Sequence, residues 1–334
     1  MDSTGVGFYP LTVAEGVRCY VALAPRAADP ISAGIAAQVY AYPPGHRLLF
    51  GLMRPGDTVV DLGAHIGTFA LAAAALGCRV LAIEAAPDNV ALLRAGVERN
   101  GFGAVRVVAA AAGEHVGSVA FVPDGPYGGV AGPYPSALPS IDVRAETLDH
   151  LVDELGWDRI DFIKMDVEGS EVAALLGMRR LLAPPAAPAL LYEANGYRLR
   201  LLGQTPQRLK AEVEALGYAS YLVEHQRLVP VSPEDLQAEC VADYLATRRP
   251  PEHSGAWPVL PRSPEETIAK MIESGTRPDE AERAYIAGAL AGAGEAILSE
   301  PRVLACLESL SADPSAAVRA AASWFRREPA GETS

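Results

Sequence analysis

The sequence predicts an α/β domain built on a mostly parallel, doubly wound sheet, followed by a small helical appendage. Three observations lead to this prediction. A strand, a glycine turn, a helix and a second strand follow one another over residues 58–84. Further strands also end in acidic residues, and open α/β sheets bind ligands at those carboxyl ends. Beyond a proline-rich segment at residues 249–264, the patterns are all helical.

The first of these units, residues 58–69 with the sequence TVVDLGAHIGTF, organises the domain. Its β-branched, apolar start is typical of a buried parallel strand. Gly63 and Gly67 then form a turn, an alanine-rich helix follows, and the next strand ends in Glu84. This order of elements, from strand through glycine turn and helix to a second strand that ends in an acid, is typical of the nucleotide-binding half of a doubly wound sheet.

The glycine turn favours S-adenosylmethionine over a dinucleotide. The dinucleotide pattern G-x-G-x-x-G lets backbone N–H groups approach a pyrophosphate, but His65 stands here in place of the middle glycine. Asp61 would repel a pyrophosphate, whereas it would suit an ammonium or sulfonium charge. Glu84, about 20 residues beyond the first glycine, is placed to accept hydrogen bonds from a ribose diol. The alternative is a turn that only packs a helix onto the sheet.

The predicted cofactor-binding residues come from four strand ends. The third strand ends in small residues, which would let a flat adenine ring lie close to the backbone, although tight packing explains them equally well. The predicted set is Asp61, Gly63, Ala64, His65, Gly67, Thr68, Glu84, Ala85, Asn89, Ala110, Ala111 and Asp166.

A second informative stretch, residues 159–171 with the sequence RIDFIKMDVEGSE, predicts a fourth strand, a turn and a helix. Asp166 stands at the carboxyl end of the strand. Glu168 and Glu171 are predicted to lie at the start of the helix, where the helix dipole by itself favours acids. A fifth strand ends in Glu193. We therefore expect acidic side chains from four strands along one rim of the sheet.

Composition excludes several classes of protein. The chain has 334 residues, half of them hydrophobic, and a net charge of −13, which argues against a nucleic-acid partner. Four scattered cysteines without a C-x-x-C pair argue against disulfides or zinc and favour a reducing compartment. The N-terminus lacks the features of a signal peptide, and no apolar run reaches transmembrane length. We therefore expect a cytoplasmic protein without a membrane partner.

The chain divides into four predicted segments. These are an N-terminal cap or substrate segment at 1–50, the α/β domain at 51–248, a proline-rich linker at 249–264 and a helical appendage at 265–334. Within the α/β domain, residues 218–231 predict a closing hairpin, and residues 232–247 predict another helix. The appendage is compatible with dimerisation, with a lid and with docking to a partner.

Together these motifs resemble those of the FkbM family of S-adenosylmethionine-dependent methyltransferases. The resemblance spans about residues 45–230, and its most specific part is KMDVEGSE at residues 164–171. The other matching pieces are VVDLGAHIG at 59–67, Glu84-x-x-Pro87, Thr147-Leu148-Asp149 and Tyr192-Glu193-x-Asn195. The resemblance implies a Rossmann-like class I methyltransferase sheet of seven strands, the last antiparallel. It also implies methyl transfer, typically to hydroxyl groups of natural products or sugars.

A hydroxyl acceptor needs a group that takes its proton. The candidates, in order, are Asp166, Glu168, Glu193 and His225, with His65 as an alternative. The three carboxylates could instead hold a Mg²⁺ ion that lowers the pKa of the acceptor, because Mg²⁺ prefers oxygen ligands.

Two other functions stay open as alternatives. One is an NAD-dependent oxidoreductase, against which the missing middle glycine and Asp61 argue. The other is a non-catalytic scaffold that binds S-adenosylmethionine, which predicts damaged cofactor positions, whereas those of this chain look intact. The expected partner is a small-molecule acceptor from secondary metabolism, with a homodimer through the C-terminal helices as a further expectation.

Overall fold

The computed structural model describes residues 5–25, 29–132, 138–183, 187–251, 257–291, 293 and 295–323. Residues 324–334 of the predicted appendage, and parts of the predicted N-terminal segment and linker, lie outside them. The strands are β1 Gly7–Ala14, β2 Val17–Leu23, β3 Thr58–Leu62, β4 Arg79–Glu84, β5 Val105–Ala109, β6 Ala111–Ala112, β7 Gly117–Val122, β8 Gly129–Val130, β9 Ile141–Glu146, β10 Phe162–Met165, β11 Ala189–Asn195, β12 Ala219–Glu224, β13 Arg227–Val231 and β14 Val241–Thr247. The helices are α1 Pro30–Ala36, α2 Pro44–Leu52, α3 Thr68–Ala75, α4 Pro87–Asn100, α5 Leu148–Leu155, α6 Glu171–Leu176, α7 Arg179–Leu182, α8 Gly196–Leu201, α9 Pro206–Ala215, α10 Pro264–Gly275, α11 Glu280–Ala291, α12 Glu295–Leu298, α13 Pro301–Ser311 and α14 Ala316–Ser323.

An eight-stranded sheet forms the centre of the fold, in the order β13-β12-β14-β11-β10-β3-β4-β5. Neighbours from β11 through β10, β3 and β4 to β5 pair in parallel. β14 runs antiparallel between β11 and β12, and β13 pairs antiparallel with β12 at the edge. The predicted fold class is confirmed. The sheet has one strand more than the seven expected, because the second arm of the predicted hairpin extends its edge.

The helix predicted for residues 232–247 is wrong, because its second half is strand β14. Tyr244 packs into the hydrophobic core on one face of the sheet and Leu245 into the core on the other. This alternation buries the segment on both faces, as expected for an internal strand. The polar residues that suggested a helix start form a turn instead, in which Asp235 Oδ2 accepts a hydrogen bond from the Ser232 N–H at 2.7 Å.

Two hydrophobic cores cover the two faces of the sheet. In β3, Val59 belongs to one core and Val60 to the other, which explains why this strand is a continuous apolar run rather than an alternating one. The β1–β2 hairpin packs against α3 and α4 on one face. A small sheet in the order β6-β9-β7-β8 follows β5.

The C-terminal helices share a third core with the α/β domain. Met271, Ile286 and Val303 pack there with Ala238 and Cys240, which precede β14. The start of α10 is stabilised by a capping box. Among the described residues, no helix combines the length and the apolar character needed to cross a bilayer.

Candidate active site

A cavity of about 990 Å³ lies over the carboxyl ends of the parallel strands. This volume is at the upper end of the range for small-molecule sites, which is roughly 300–1,000 Å³. Most residues predicted from the sequence line it, namely Gly63, Ala64, His65, Thr68, Glu84, Ala85, Asn89, Ala110, Ala111, Asp166, Glu168, Glu193 and His225. Asp61 and Gly67 are not part of the lining.

The glycine turn after β3 needs glycine at both positions. Gly63 has φ +76°, and a Cβ atom there would lie 1.8 Å from the carbonyl oxygen of Asp166. Gly67 has φ +90°, and its Cβ would lie 2.3 Å from Leu93 Cδ1. Gly63 therefore permits close contact between two strand ends, whereas Gly67 permits close packing of α3 on α4.

Lys164 of β10 is the central cation of the site. Its Nζ donates to the Gly63 carbonyl oxygen at 2.9 Å and lies 3.3 Å from Asp61 Oδ1 and 3.4 Å from Asp166 Oδ2. Burial alone would lower the pKa of Lys164, but the two carboxylates reverse this and raise it above its ordinary value. Burial raises the pKa of Asp61 to about 6, against the opposing effect of Lys164. The lysine therefore stays charged.

Sequence reasoning missed Lys164 and expected the Asp61 carboxylate to face the positive charge of the donor. The structure places Asp61 behind Lys164, with no exposed surface. The signal was available, because a lysine inside the apolar strand FIKM is unusual unless it is paired. The pairing partner could not be found by spacing, since Lys164 and Asp61 are neighbours only through the register of β10 and β3.

Glu84 lies at the end of β4 and is held by three donors. Its Oε2 accepts from the His65 N–H at 2.7 Å, and its Oε1 accepts from the Ala86 N–H at 2.8 Å and from Asn89 Nδ2 at 3.4 Å. Burial raises the pKa of Glu84, and these hydrogen bonds oppose that effect. The carboxylate is therefore fixed in position beside the glycine turn.

Three acidic side chains converge at the ends of β10 and β11. One carboxylate oxygen each from Asp166, Glu168 and Glu193 lies within 4.8 Å of the others. Burial, followed by the charge of Asp166, raises the pKa of Glu168 to about 8 and that of Glu193 well above its ordinary value. Glu168 Oε2 lies 3.5 Å from Arg198 Nε. Burial and the crowding of like charges thus favour the protonated forms of Glu168 and Glu193 near neutral pH.

The expectation that Glu168 and Glu171 share the first turn of a helix is correct only for Glu171. α6 begins at Glu171, whereas Glu168 lies in the preceding turn with φ +53°. Glu171 Oε1 accepts from the N–H groups of Val167 and Gly169, both at 3.1 Å. Glu171 is fully buried outside the cavity lining, so it holds the turn that presents Glu168.

The cavity lining also contains residues that sequence reasoning did not select. Asp243 of β14 lies in register with Glu193 of β11, and burial raises the pKa of Asp243 to about 6. His46 of α2 and Lys270 of α10 also line the cavity. His225, which was selected, lies at the β12–β13 turn. Both the N-terminal segment and the C-terminal helices therefore contribute to the site.

Residues 61–219 match the family model described as "Methyltransferase FkbM domain". This part of the chain belongs to the FkbM methyltransferase family. The resemblance found in the motifs is confirmed over these residues, and the match supports S-adenosylmethionine-dependent methyl transfer as the activity of this domain.

Similar solved structures include precorrin-6y C5,15-methyltransferase from Geobacter metallireducens GS-15, at 16% identity, covering 65% of this chain and 97% of that one, with a TM-score of 0.37. A TehB-like SAM-dependent methyltransferase from Corynebacterium glutamicum is 14% identical, and the match covers 65% of this chain and 94% of that one, with a TM-score of 0.38. Similarities of this size support no inference about the site.

The FkbM match divides the cavity wall into two parts. The glycine turn, Glu84 and Asp166 lie inside residues 61–219, whereas His46, Asp243 and Lys270 lie outside them. The FkbM domain thus supplies the wall that carries the predicted cofactor residues. The segments before and after it supply the other lining residues, His46, Asp243 and Lys270 among them.

Proposed function

We propose that the protein transfers a methyl group from S-adenosylmethionine to a hydroxyl group of a small molecule, either a natural product or a sugar. The observation that carries this proposal is a single cavity with two different walls. One wall presents the Gly63 turn and Glu84, and the other presents carboxylates and imidazoles suited to a polar acceptor. A volume of about 990 Å³ suits a donor and an acceptor bound together.

The residues of the donor wall fit S-adenosylmethionine. The carboxylate of Glu84 is held by three donors and suits a ribose diol, while the bare backbone at Gly63 suits the amino-acid end. Ala110 and Ala111 are small enough for a flat adenine ring to approach. When bound, the donor supplies an electrophilic methyl group, so the main contribution of the protein is to position the acceptor and exclude water. Asp61 would act on the donor through Lys164 rather than by contact.

The four proton acceptors predicted from the sequence all line the cavity, and Asp166 is also one of the predicted cofactor residues. Asp166 is paired with Lys164, and Glu168 is paired with Arg198. Glu193 has no ion pair among the described residues, and His225 lies at a turn on the cavity lining. All four remain candidates for contacts with the acceptor.

A Mg²⁺ site at Asp166, Glu168 and Glu193 is the second candidate arrangement, and the convergence of the three carboxylates within 4.8 Å favours it. Two cations already balance part of this charge, because Lys164 lies 3.4 Å from Asp166 and Arg198 lies 3.5 Å from Glu168. We therefore expect methyl transfer to persist in EDTA. A loss of activity in EDTA that Mg²⁺ restores would instead establish the metal site.

Isothermal titration calorimetry with S-adenosylhomocysteine, with and without Mg²⁺, tests the donor site. We expect binding of one molecule per chain, and no binding of NADH. Binding of NADH alone would instead support the oxidoreductase alternative. Transfer of a tritiated methyl group to a panel of methyl glycosides, phenols and hydroxylated macrolides then tests the acceptor class. Donor binding with no transfer to any of them would favour the non-catalytic scaffold.

We further propose that the predicted N-terminal segment and the helices after residue 264 complete the acceptor site, since Tyr40, His46 and Lys270 line the cavity. A homodimer through the C-terminal helices and a cytoplasmic role in secondary metabolism remain predictions. Light scattering on the purified chain tests the first, and fractionation of the producing cell tests the second.

A further inference from the structure

A short segment between β7 and β8, residues 125–128, forms part of the cavity lining. We call this segment the strap. None of its four residues is buried, and Tyr127 is 46% exposed. The strap is therefore not anchored in a hydrophobic core, and its position depends on polar contacts made to its backbone.

Asn89 of α4 contacts the first residue of the strap. Its Nδ2 donates to the Gly125 carbonyl oxygen at 3.4 Å, and the same nitrogen donates to Glu84 Oε1 at 3.4 Å. Glu84 is the carboxylate that the proposed function assigns to the ribose diol of the donor. One side chain thus connects the start of the strap to the proposed donor wall.

Arg198 of α8 contacts the third residue of the strap. Its Nη2 donates to the Tyr127 carbonyl oxygen at 2.9 Å, and its Nε lies 3.5 Å from Glu168 Oε2. Two nitrogens of one planar guanidinium make these contacts, so the strap and the turn that carries Glu168 are held at a fixed separation. Neither a neutral side chain nor the single nitrogen of lysine can replace both contacts.

The position of Arg198 is fixed by the surroundings of the first turn of α8. Asn195 Oδ1 accepts from the Arg198 N–H at 3.1 Å. The Gly196 N–H donates to the Cys240 carbonyl oxygen at 2.7 Å, and a Cβ atom at Gly196 would lie 2.1 Å from Tyr285 Cε2 of α11. The C-terminal helices therefore help to place α8 and, through Arg198, the strap.

We propose that Arg198 is a positioning residue that holds the strap beside bound S-adenosylmethionine, an inference that rests on the proposed function. Each of the two side chains that contact the strap also contacts a carboxylate of the cavity, Asn89 with Glu84 and Arg198 with Glu168. Arg198 itself is not part of the cavity lining, so it acts on the donor through the strap. A strap held in place reduces the loss of donor from the cavity.

A simpler role for Arg198 is that of a counter-charge for Glu168. This role explains the contact of Nε but not the hydrogen bond from Nη2 to the Tyr127 carbonyl oxygen. The two roles differ in what the strap does when the guanidinium is removed. The strap becomes more mobile if Arg198 holds it, and it stays unchanged if Arg198 only balances the charge of Glu168.

The test compares R198Q with R200Q by hydrogen exchange and mass spectrometry, with and without S-adenosylhomocysteine. Arg200 lies on the same helix but is exposed and packs against Gly288 of α11. In R198Q, peptides covering residues 123–130 should exchange faster than in the wild type, and S-adenosylhomocysteine should protect them less. Peptides from β3 and β10 should exchange at wild-type rates. R200Q should match the wild type throughout.

Calorimetry provides the second readout. R198Q should bind S-adenosylhomocysteine about 10-fold more weakly than the wild type, because a hydrogen bond from a charged donor is lost. R198K keeps a cation and one donor nitrogen and should recover part of both the affinity and the protection of the strap. A purely structural role would instead raise exchange in β3 and β10 as well.

The inference is overturned if R198Q keeps the wild-type exchange of the strap or the wild-type affinity, or if its exchange rises equally in β3 and β10. Should R198Q not fold, R198K takes its place, and wild-type exchange of the strap in R198K overturns the inference. If the wild type does not bind S-adenosylhomocysteine at all, the proposed function fails, and the inference fails with it.

Discussion

Lys164 Nζ lies 3.3 Å from Asp61 Oδ1, and the two residues stand opposite each other on neighbouring parallel strands, both buried. The same ammonium group donates to the Gly63 carbonyl oxygen and contacts Asp166. One cation therefore joins the ends of β3 and β10, whose turns form the floor of the cavity.

Replacing Lys164 with methionine should destabilise the fold by about 3–5 kcal/mol, because it leaves Asp61 buried without its counter-charge. The double variant D61N/K164M should lose much less than the sum of the two single variants. Urea unfolding monitored by circular dichroism measures all three. K270M removes a lysine whose side chain is 41% exposed and should change stability by at most about 1 kcal/mol. Additive losses in the double variant would show that the pair is not coupled.

Gly63→Ala should abolish binding of S-adenosylhomocysteine and strongly reduce stability. The new Cβ atom would lie 1.8 Å from a backbone oxygen that cannot move without displacing β10. Gly56→Ala is the matched control, since Gly56 also has a positive φ, +93°, but has no atom within 4 Å of its Cβ position. That variant should lose only about 1–2 kcal/mol, the cost of the left-handed conformation. Equal losses of stability in the two variants would mean that the left-handed backbone alone, and not the close contact with the Asp166 carbonyl oxygen, requires glycine at position 63.

Glu84→Gln should weaken the binding of S-adenosylhomocysteine about 10-fold or more, because a charged acceptor of a ribose diol becomes a neutral one. Calorimetry measures the affinity, and thermal unfolding checks the glycine turn, since Glu84 also accepts from the His65 N–H. Glu114→Gln, at a side chain 47% exposed, should bind normally. If the Glu84→Gln variant bound S-adenosylhomocysteine with unchanged affinity, Glu84 would not contact the donor.

Glu171 should make the stability of the protein decrease as the pH rises. Burial raises the pKa of Glu171 from 4.5 to about 7, so the folded state holds its proton through a pH window in which the unfolded chain has lost it. Within that window the folded state binds more protons, and the free energy of unfolding therefore falls with increasing pH. Glu171→Gln removes this titration.

The variant and the wild type should have similar stability near about pH 5, while at about pH 8 the variant should be more stable by up to about 3 kcal/mol. Urea unfolding at both values provides the comparison. Glu273→Gln, at a side chain 52% exposed, serves as the control and should show no such gain at high pH. A stability difference that does not change with pH would contradict the raised pKa of Glu171.

Motifs in the sequence were sufficient to bring the residues of the proposed donor wall to one cavity, because the signals that select them are local. The glycine turn is continuous in sequence with β3, and Glu84 and Asp166 each follow a strand that apolar patterning predicts. Since parallel strands bring their carboxyl ends to one rim, placing these residues together required no tertiary information. The family match over residues 61–219 includes all of these residues.

Other features of the site depend on pairing between distant segments. β14 was mistaken for a helix because a polar helix-start signal precedes it, and only its insertion between β11 and β12 reveals an internal strand. That insertion places Asp243 in register with Glu193. It also lets the Asp243 carboxylate accept a hydrogen bond from the N–H of Gly45, a residue that lies about 200 positions earlier in the chain. No spacing rule connects such residues.

By itself, the sequence determined the doubly wound α/β class, the FkbM match of residues 61–219 and most residues of the proposed donor wall, since periodicity and turn chemistry act over a few residues. Only the tertiary structure decided that Lys164 neutralises Asp61, that Glu168 and Glu193 crowd together, and that His46 faces the cavity. Burial and the distances between charges set these properties, and both arise only when strands and helices far apart in the chain pack against each other.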